Sequence, residues 1–396
     1  MWACLVSQSG RARSQSPAAT PLIRAPNFVP IFSPWNIDVR QHNRIVAHSM
    51  NDRRGRRRHL RHILLIGVLC VVATLPAGAL EILGSGSTFA YPVLTKWSEA
   101  YEKISGDHIE YQPVGSSAGI TEITSGIVDI GVTDVPLDDA QLLRDGLAQF
   151  PMVIGAIVPV VNIDGITSGQ LRFTGQLLAD IYLGKVKNWN DAAIAAVNPG
   201  ITLPNRAIFV VYRSDGSGTT YNWADYLSKV SDDWKVRIGE GTKLAWPTGA
   251  GAKGNGGVAD YVARVKGAIG YVEYTYALHA KLNYGLVRNR AGKFVSPDAM
   301  SFQAATENVD WAKDRDFYVF LSDAPGTNAY PIMATSFALV RRYPRDGVRS
   351  RATLAFFRWA MEDGRELASS VQYLPIPPSL VRQVEAYWEE QIRVPE

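Results

Sequence analysis

At 396 residues the chain is too long for a single ordinary core, and its 46% hydrophobic, 20% charged composition is that of a folded globular protein of about two domains. The formal net charge of +4 is uneven: residues 1–80 hold 11 arginines against Asp38 and Asp52, which leaves 30 basic and 35 acidic residues from Glu81 onward and a net charge near −5. A mildly acidic body lacks the clustered basic face of a nucleic-acid footprint, so any anion it holds must be attracted by local groups rather than by the overall field.

In chain order the first feature is an export signal. Six arginines fall within residues 53–61, the uncharged run 63–80 follows, and Ala77-Gly78-Ala79 supplies an A-x-A cleavage site, which are the three parts of a secretory signal peptide. A membrane anchor is the competing reading, but Pro76 and Gly78 break an apolar run already short for a span. Arg57-Arg58-His59-Leu60 hints at a twin-arginine signal whose remaining pattern is poor, so the export route stays open, and Leu69 before Cys70 weakens a lipoprotein reading. Residues 1–49 show mixed composition and no periodicity. Met50 is therefore expected to be the true start, a disordered N-terminal extension being the alternative. Cys4 and Cys70 both precede the cleavage site, so the mature chain would need neither disulfides nor thiol chemistry.

From Glu81 short apolar runs alternate with longer amphipathic stretches, the pattern of βαβ units around parallel sheets. Ile82-Leu83 leads through a glycine-rich turn into a helix over 91–104, followed by a strand at 109–113, a helix starting at 119–125, a strand at 127–132 and a helix at 138–146. The apolar run 151–163 exceeds one ordinary strand and is expected to carry the chain between domains; a second such run spans 332–340. Between them the pattern predicts helices at 177–183, 219–230 and 258–265 and strands at 208–212 and 269–273, and after Val340 helices at 352–361, 365–370 and 380–391. The economical organisation is residues 1–79 as upstream segment and signal, 80–157 with 330–396 as a discontinuous lobe I, and 158–329 as lobe II. Two linkers joining two lobes make a hinge.

Three loops depart from ordinary connectors. Gly84-Ser85-Gly86-Ser87-Thr88-Phe89 lies between a strand and a helix, where glycines allow a tight turn, hydroxyls donate hydrogen bonds and the helix start offers free N–H groups to an anion. A Rossmann fingerprint would need glycine at Phe89 and a P-loop a following lysine, so neither nucleotide motif is met, and helix capping by Ser87 or Thr88 is the bland alternative. Gly115-Ser116-Ser117-Ala118-Gly119 repeats the design, and Arg213-Ser214-Asp215-Gly216-Ser217-Gly218-Thr219 adds a fixed positive charge. Together they suit a tetrahedral oxyanion, since arginine grips two oxygens while hydroxyls and amides meet the others.

Hydrolysis is the rival chemistry, because Ser217 sits between glycines. The segment is not G-x-S-x-G, however, and the mature chain offers only His108 and His279 as bases, neither beside a glycine-rich loop and each read as a surface or capping residue. No close cluster of His, Cys or paired carboxylates suggests a metal, and no cofactor is expected. The ten tryptophans and 17 tyrosines are dispersed and read as core. The glycine-rich stretch 249–257 carries no assigned role, a flexible connector being the default.

At these loops the sequence resembles the phosphate-binding protein of high-affinity bacterial phosphate ABC importers. The likeness runs in order through GSGSTFAYPVLTKW, VGSSAGI, VDIGVTDVPL, QFPMVIGAIVPVVN, DIYLGKVKNW, RSDGSGTT, GAIGYVEYTYA and YPIMATSFAL. It implies an α/β, two-lobed periplasmic binding protein fold of type II, an exported monomer that performs no catalysis, and a periplasmic location. The implied partners are inorganic phosphate and transmembrane permease subunits, with no nucleic acid. Carried over by motif, Thr88 and Phe89 supply the first lobe's hydroxyl and backbone amide, and Ser116 donates from the next helix start. Arg213, Ser217, Gly218 and Thr219 close from the second lobe, Asp134 completes the pocket and Asp215 orients Arg213. Thr133, Ala118 and Ser214 depart from the usual serine, glycine and alanine without removing a ligand group. The implied role of Asp134 makes sense if the ligand carries a proton: phosphate has a hydroxyl to donate near neutral pH whereas sulfate has none. A helix cap after Pro136 is the alternative for Asp134, and an exported phosphoester hydrolase or a binder of sulfate or molybdate is the alternative for the protein.

Overall fold

The computed structural model describes residues 79–307 and 309–396. The upstream segment, the export signal with its cleavage site and the expected start at Met50 lie outside these residues.

Strand β1 (Glu81–Gly86) leads into α1 (Tyr91–Ser105), where a proline in the first turn gives up an N–H that has no helical partner anyway, and Gly106 closes the helix in the left-handed region at φ 81°. There follow β2 (His108–Gln112), α2 (Ser116–Ser125), β3 (Ile130–Thr133) and α3 (Asp139–Asp145), the last capped by the Asp138 carboxylate. Next come β4 (Leu147–Val161), β5 (Arg172–Phe173), α4 (Gly175–Tyr182), α5 (Ala192–Val197), β6 (Phe209–Arg213), α6 (Gly218–Val230) and α7 (Asp232–Arg237). The chain continues through β7 (Ala250–Ala252), α8 (Gly254–Arg264), β8 (Ala268–Glu273), α9 (Tyr274–His279), β9 (Asn283–Tyr284), β10 (Leu286–Arg288), β11 (Phe294–Val295) and α10 (Ala299–Thr306). It ends with β12 (Met333–Arg341), α11 (Gly347–Glu362), α12 (Arg365–Ser370), β13 (Leu374–Pro375) and α13 (Pro378–Gln391).

The main sheet runs β2-β1-β3-β12-β4-β8-β6-β7. Its outer trios, β2-β1-β3 and β8-β6-β7, are parallel as expected, but β12 is antiparallel to both β3 and β4, and β4 is antiparallel to β8. The expectation of purely parallel sheets is therefore corrected to a mixed one. The two long apolar runs enter the sheet themselves: β4 is one strand of 15 residues, all buried, that pairs β12 over Leu147–Ala156 and β8 over Ile157–Val161. A strand covered on both faces reads as continuous apolar sequence, which is why a linker and a strand look alike there.

The α1, α11 and α13 helices bury Trp97, Phe356, Phe357 and Trp388, of which Phe357 and Trp388 pack edge-on against Phe150 of β4, and Trp223 stacks on Tyr271 with ring centroids 4.9 Å apart on the other side of the partner switch. Four tryptophans, Trp97, Trp189, Trp223 and Trp234, are fully buried, in keeping with their reading as core, and His108 and His279 are both exposed. Stretch 249–257 is not a flexible connector; it contributes strand β7 and the first turn of α8.

Close approach of loops to strands sets the site. Gly86 has φ 134°, and a Cβ there would lie 2.1 Å from the Val132 carbonyl oxygen. Gly86→Ala should cost about 3 kcal/mol or more of unfolding free energy. Gly146→Ala, at φ 65° with open space around it, should cost only about 1 kcal/mol. Urea titration of the two variants checks the contrast, and equal losses would refute the packing argument.

Candidate functional site

The parallel neighbours β1 and β2 run opposite in sense to the parallel neighbours β6 and β7, because β4 is antiparallel to β8, so the turns that follow the two pairs point toward each other, each opening a helix. Four strand-to-helix loops meet in this way, one more than the sequence suggested, the fourth being that between β7 and α8. Hydrogen bonds tie segments before β4 to segments after it, among them Gly218 N to Ser116 Oγ (3.1 Å), Asn255 Nδ2 to Thr88 Oγ1 (2.9 Å) and Asn222 Nδ2 to the Asp134 carbonyl (2.7 Å). The backbones touch as well, for a Cβ on Gly218 would sit 2.7 Å from both the Cβ and Oδ2 of Asp134.

Arg213, at the end of β6, is 3% exposed. Its Nε donates to Asp215 Oδ1 (2.8 Å) and its Nη2 to Asp215 Oδ2 (2.5 Å), a two-pronged pairing that uses one edge of the guanidinium and fixes its plane. The other edge is directed to Thr219, whose Oγ1 accepts from Nη1 at 3.3 Å. Burial alone would raise the Asp215 carboxyl, but the hydrogen bond and charge of Arg213 outweigh it and hold the group below the usual carboxylate range, helped by the Gly254 N–H at 3.0 Å. Asp215 thus orients Arg213.

Asp134, immediately after β3, is 1% exposed and has no such cation pressed against it. Its carboxylate accepts from Ser87 Oγ (2.6 and 2.7 Å to the two oxygens), Ser336 Oγ (2.8 Å) and Ser116 Oγ (3.4 Å). Burial pushes its pKa up from 3.8 to about 6, against the opposing effects of the Ser87 and Ser336 hydroxyls, the charge of Arg213 and the Ser116 hydroxyl. Its side chain bonds these serines and caps no helix; the cap of α3 is Asp138.

Thr88, Phe89, Ser116, Arg213, Ser217, Gly218 and Thr219, with Asp215, lie on or beside these four loops, and Asp134 reaches them from the turn after β3. Two carry constraints invisible in sequence. The Phe89 amide donates to Ser87 Oγ (2.9 Å) while its ring packs edge-on against Tyr373, and Ser217 Oγ accepts from Thr220 N (3.0 Å) as the cap of α6, which leaves its proton to donate. Sequence reasoning weighed Ser87 only as a helix cap and missed Asn222, Asn255, Tyr276 and Ser336. The Tyr276 hydroxyl donates to the Thr88 carbonyl at 2.7 Å. A signal for Asn255 existed, since Lys253-Gly254-Asn255-Gly256-Gly257 is a further glycine-rich strand-to-helix turn. Ser336 sits inside an apolar strand with no local signal. Among the described residues no group of three or more His, Cys, Asp or Glu could hold a metal ion, and Ser217 has no histidine among its hydrogen-bond partners.

The fold and the converging loops are those of a binding-protein scaffold, and the chain belongs to the PBP superfamily, whose domain profile matches residues 71–363, and within it to the PstS family of phosphate-binding proteins. It is 50% identical over 315 residues to the phosphate-binding protein PstS of Xylella fastidiosa (strain 9a5c), covering 80% of this chain and 86% of that one. It is also 43% identical over 330 residues to that of Pasteurella multocida (strain Pm70), covering 83% and 96%. Among solved structures, a high-affinity periplasmic phosphate-binding protein bound with phosphate superposes with a TM-score of 0.62 at 19% identity over 78% of this chain and 93% of its own. The phosphate-binding protein from Stenotrophomonas maltophilia gives 0.61 at 17% over 77% and 93%. The likeness shows the shared two-lobed fold.

The raised Asp134 carboxyl links stability to pH. The folded chain holds that proton more tightly than the unfolded one, so the contribution is complete below about pH 4 and is lost as pH rises to about 6, amounting to roughly 3 kcal/mol. Melting temperatures of the wild type and Asp134→Asn should therefore converge or cross in favour of the variant between pH 4 and 6. A constant difference across that range would contradict the assignment.

Proposed function

We propose that this chain captures inorganic phosphate between two lobes in the periplasm and delivers it to the transmembrane permease subunits of an ABC importer, as a monomer, with no catalysis and no nucleic acid. The observation that carries the reading is the pairing of opposites in one buried place: a guanidinium with one edge locked on Asp215 and the other turned to Thr219, a surrounding set of hydroxyls, and a carboxylate that can only accept. An anion that still bears a proton satisfies both halves, and phosphate near neutral pH is such an anion. The names of the relatives and the bound phosphate of a neighbour of the same fold support it.

In this reading Thr88, the Phe89 amide and Ser116 grip the anion from lobe I. Arg213, Ser217, Gly218 and Thr219 grip it from lobe II, and Asp134 takes the phosphate proton. The partner switch of β4 between Ala156 and Ile157 supports lobes of 80–157 with 330–396 and of 158–329. Among the described residues no helix is long and apolar enough to cross a membrane; in this reading the membrane step belongs to the permease subunits. Binding closes the lobes, and the closed form is what that partner recognises.

Calorimetry on protein stripped of ligand should show tight phosphate binding with sulfate competing roughly a thousandfold less well, because a sulfate lone pair would face the buried Asp134 carboxylate at a cost of several kcal/mol. Asp134→Asn should narrow that gap to about tenfold, and Arg213→Ala should weaken phosphate at least about a hundredfold. Absence of both heat and thermal stabilisation with micromolar phosphate would end the proposal.

A further inference from the structure

Asn255, in the first turn of α8, is completely buried and makes its contacts to both sides of the site. Its side-chain oxygen accepts from Glu273 N at 2.9 Å. A backbone N–H can only donate, so the oxygen must face Glu273 and the amide NH2 group is aimed the other way. That group donates to Thr88 Oγ1 at 2.9 Å and to Thr219 Oγ1 at 3.1 Å. Thr88 Oγ1 accepts a second bond from the Asn255 backbone N–H (3.2 Å), and Thr219 Oγ1 a second from Arg213 Nη1 (3.3 Å).

A hydroxyl has two lone pairs and one proton. With both lone pairs engaged, each threonine retains only its proton for any further hydrogen bond. We propose that Asn255 is a positioning residue which fixes the polarity of the site: by occupying the acceptor side of Thr88 and Thr219 it forces both hydroxyls to donate into the pocket. This deepens the phosphate reading and rests on it. Asn255 reaches the ligand through these hydroxyls, and Glu273 N holds it from behind. The division of labour with Asp134 is then complete, since the threonines are donors by construction and the carboxylate is an acceptor by charge. A pocket so biased welcomes bare phosphate oxygens at the threonines and keeps the protonated oxygen for Asp134. The contact also joins Thr88, on a loop before β4, to α8, after it, so the polarity of Thr219 is set within one lobe while that of Thr88 is set only when the lobes are together.

The test is phosphate calorimetry at pH 8 on the wild type, Asn255→Ala, Asn255→Asp, Thr219→Val and the Asn255→Ala/Thr219→Val pair, with melting curves on each. Asn255→Ala frees the lone pairs and should weaken phosphate about 10- to 100-fold. Asn255→Asp keeps the shape but turns donor into acceptor, draws the threonine protons away and should bind more weakly still. In the Thr219→Val chain one of the two hydroxyls is already gone, so the loss from Asn255→Ala should shrink by at least about threefold. Wild-type affinity in Asn255→Asp, or an undiminished loss in the Thr219→Val background, would overturn the inference. If Asn255→Asp does not fold, the double-mutant comparison decides alone. Wild type that binds phosphate together with variants that match it defeats this inference only; wild type that takes up no phosphate defeats the functional reading, and this one with it.

Discussion

Charges removed from water must be answered by charges or by hydrogen bonds, and the arrangement around Arg213 and Asp134 follows from that requirement. Arg213 is met on one edge by Asp215, so it is neutralised in part and held flat, and its other edge remains directed at the pocket. Asp134 is met by three serine hydroxyls instead of a cation, which leaves it ionisable at a cost and therefore avid for a proton. The two groups are buried together and compensated by different means, and in the proposed function that contrast is what selects one protonation state of an oxyanion.

The rest of the fold supplies what this arrangement needs. The two parallel trios run in opposite senses and so bring their loops toward each other, and N–H groups at the helix starts are taken up there by side chains, as Gly218 N is by Ser116 and Asn255 N by Thr88. Serine and threonine recur there because a small hydroxyl can be a donor to Asp134, an acceptor from Asn255 or a cap for α6, according to its neighbours. Glycine recurs because a side chain at Gly86 would strike the backbone of neighbouring β3 and one at Gly218 would strike Ser116 and Asp134.

Much of this was legible in the chain. Alternating short strands and helices announced α/β architecture, and each predicted helix of the mature chain is present, some starting a turn earlier than their apolar pattern because the polar first turn, as at Ser116 and Gly254, belongs to the site. The three expected glycine and hydroxyl loops do converge. Harder to see were groups recruited from far along the chain. Ser336 lies in an apolar strand 202 residues beyond Asp134, and Tyr276 lies 188 beyond Thr88, so no local spacing links them to their partners. The antiparallel course of β12 and β4 was hidden for another reason: a strand buried on both faces carries no alternation from which direction could be read. Asp134 itself needed the family resemblance, because only a protonated ligand explains an acid among anion donors.

The length of β4 has a mechanical meaning. A pivot made of two loose linkers would let each half of the molecule melt alone, but here one unbroken strand of 15 buried residues supplies an interior strand on both sides of the partner switch at Ala156 and Ile157. Slipping its register by a single residue would turn every side chain to the opposite face on both sides at once. Neither half can lose its sheet without leaving the other with an exposed edge. In the proposed capture of phosphate, opening and closing are therefore taken up as twist along this continuous strand.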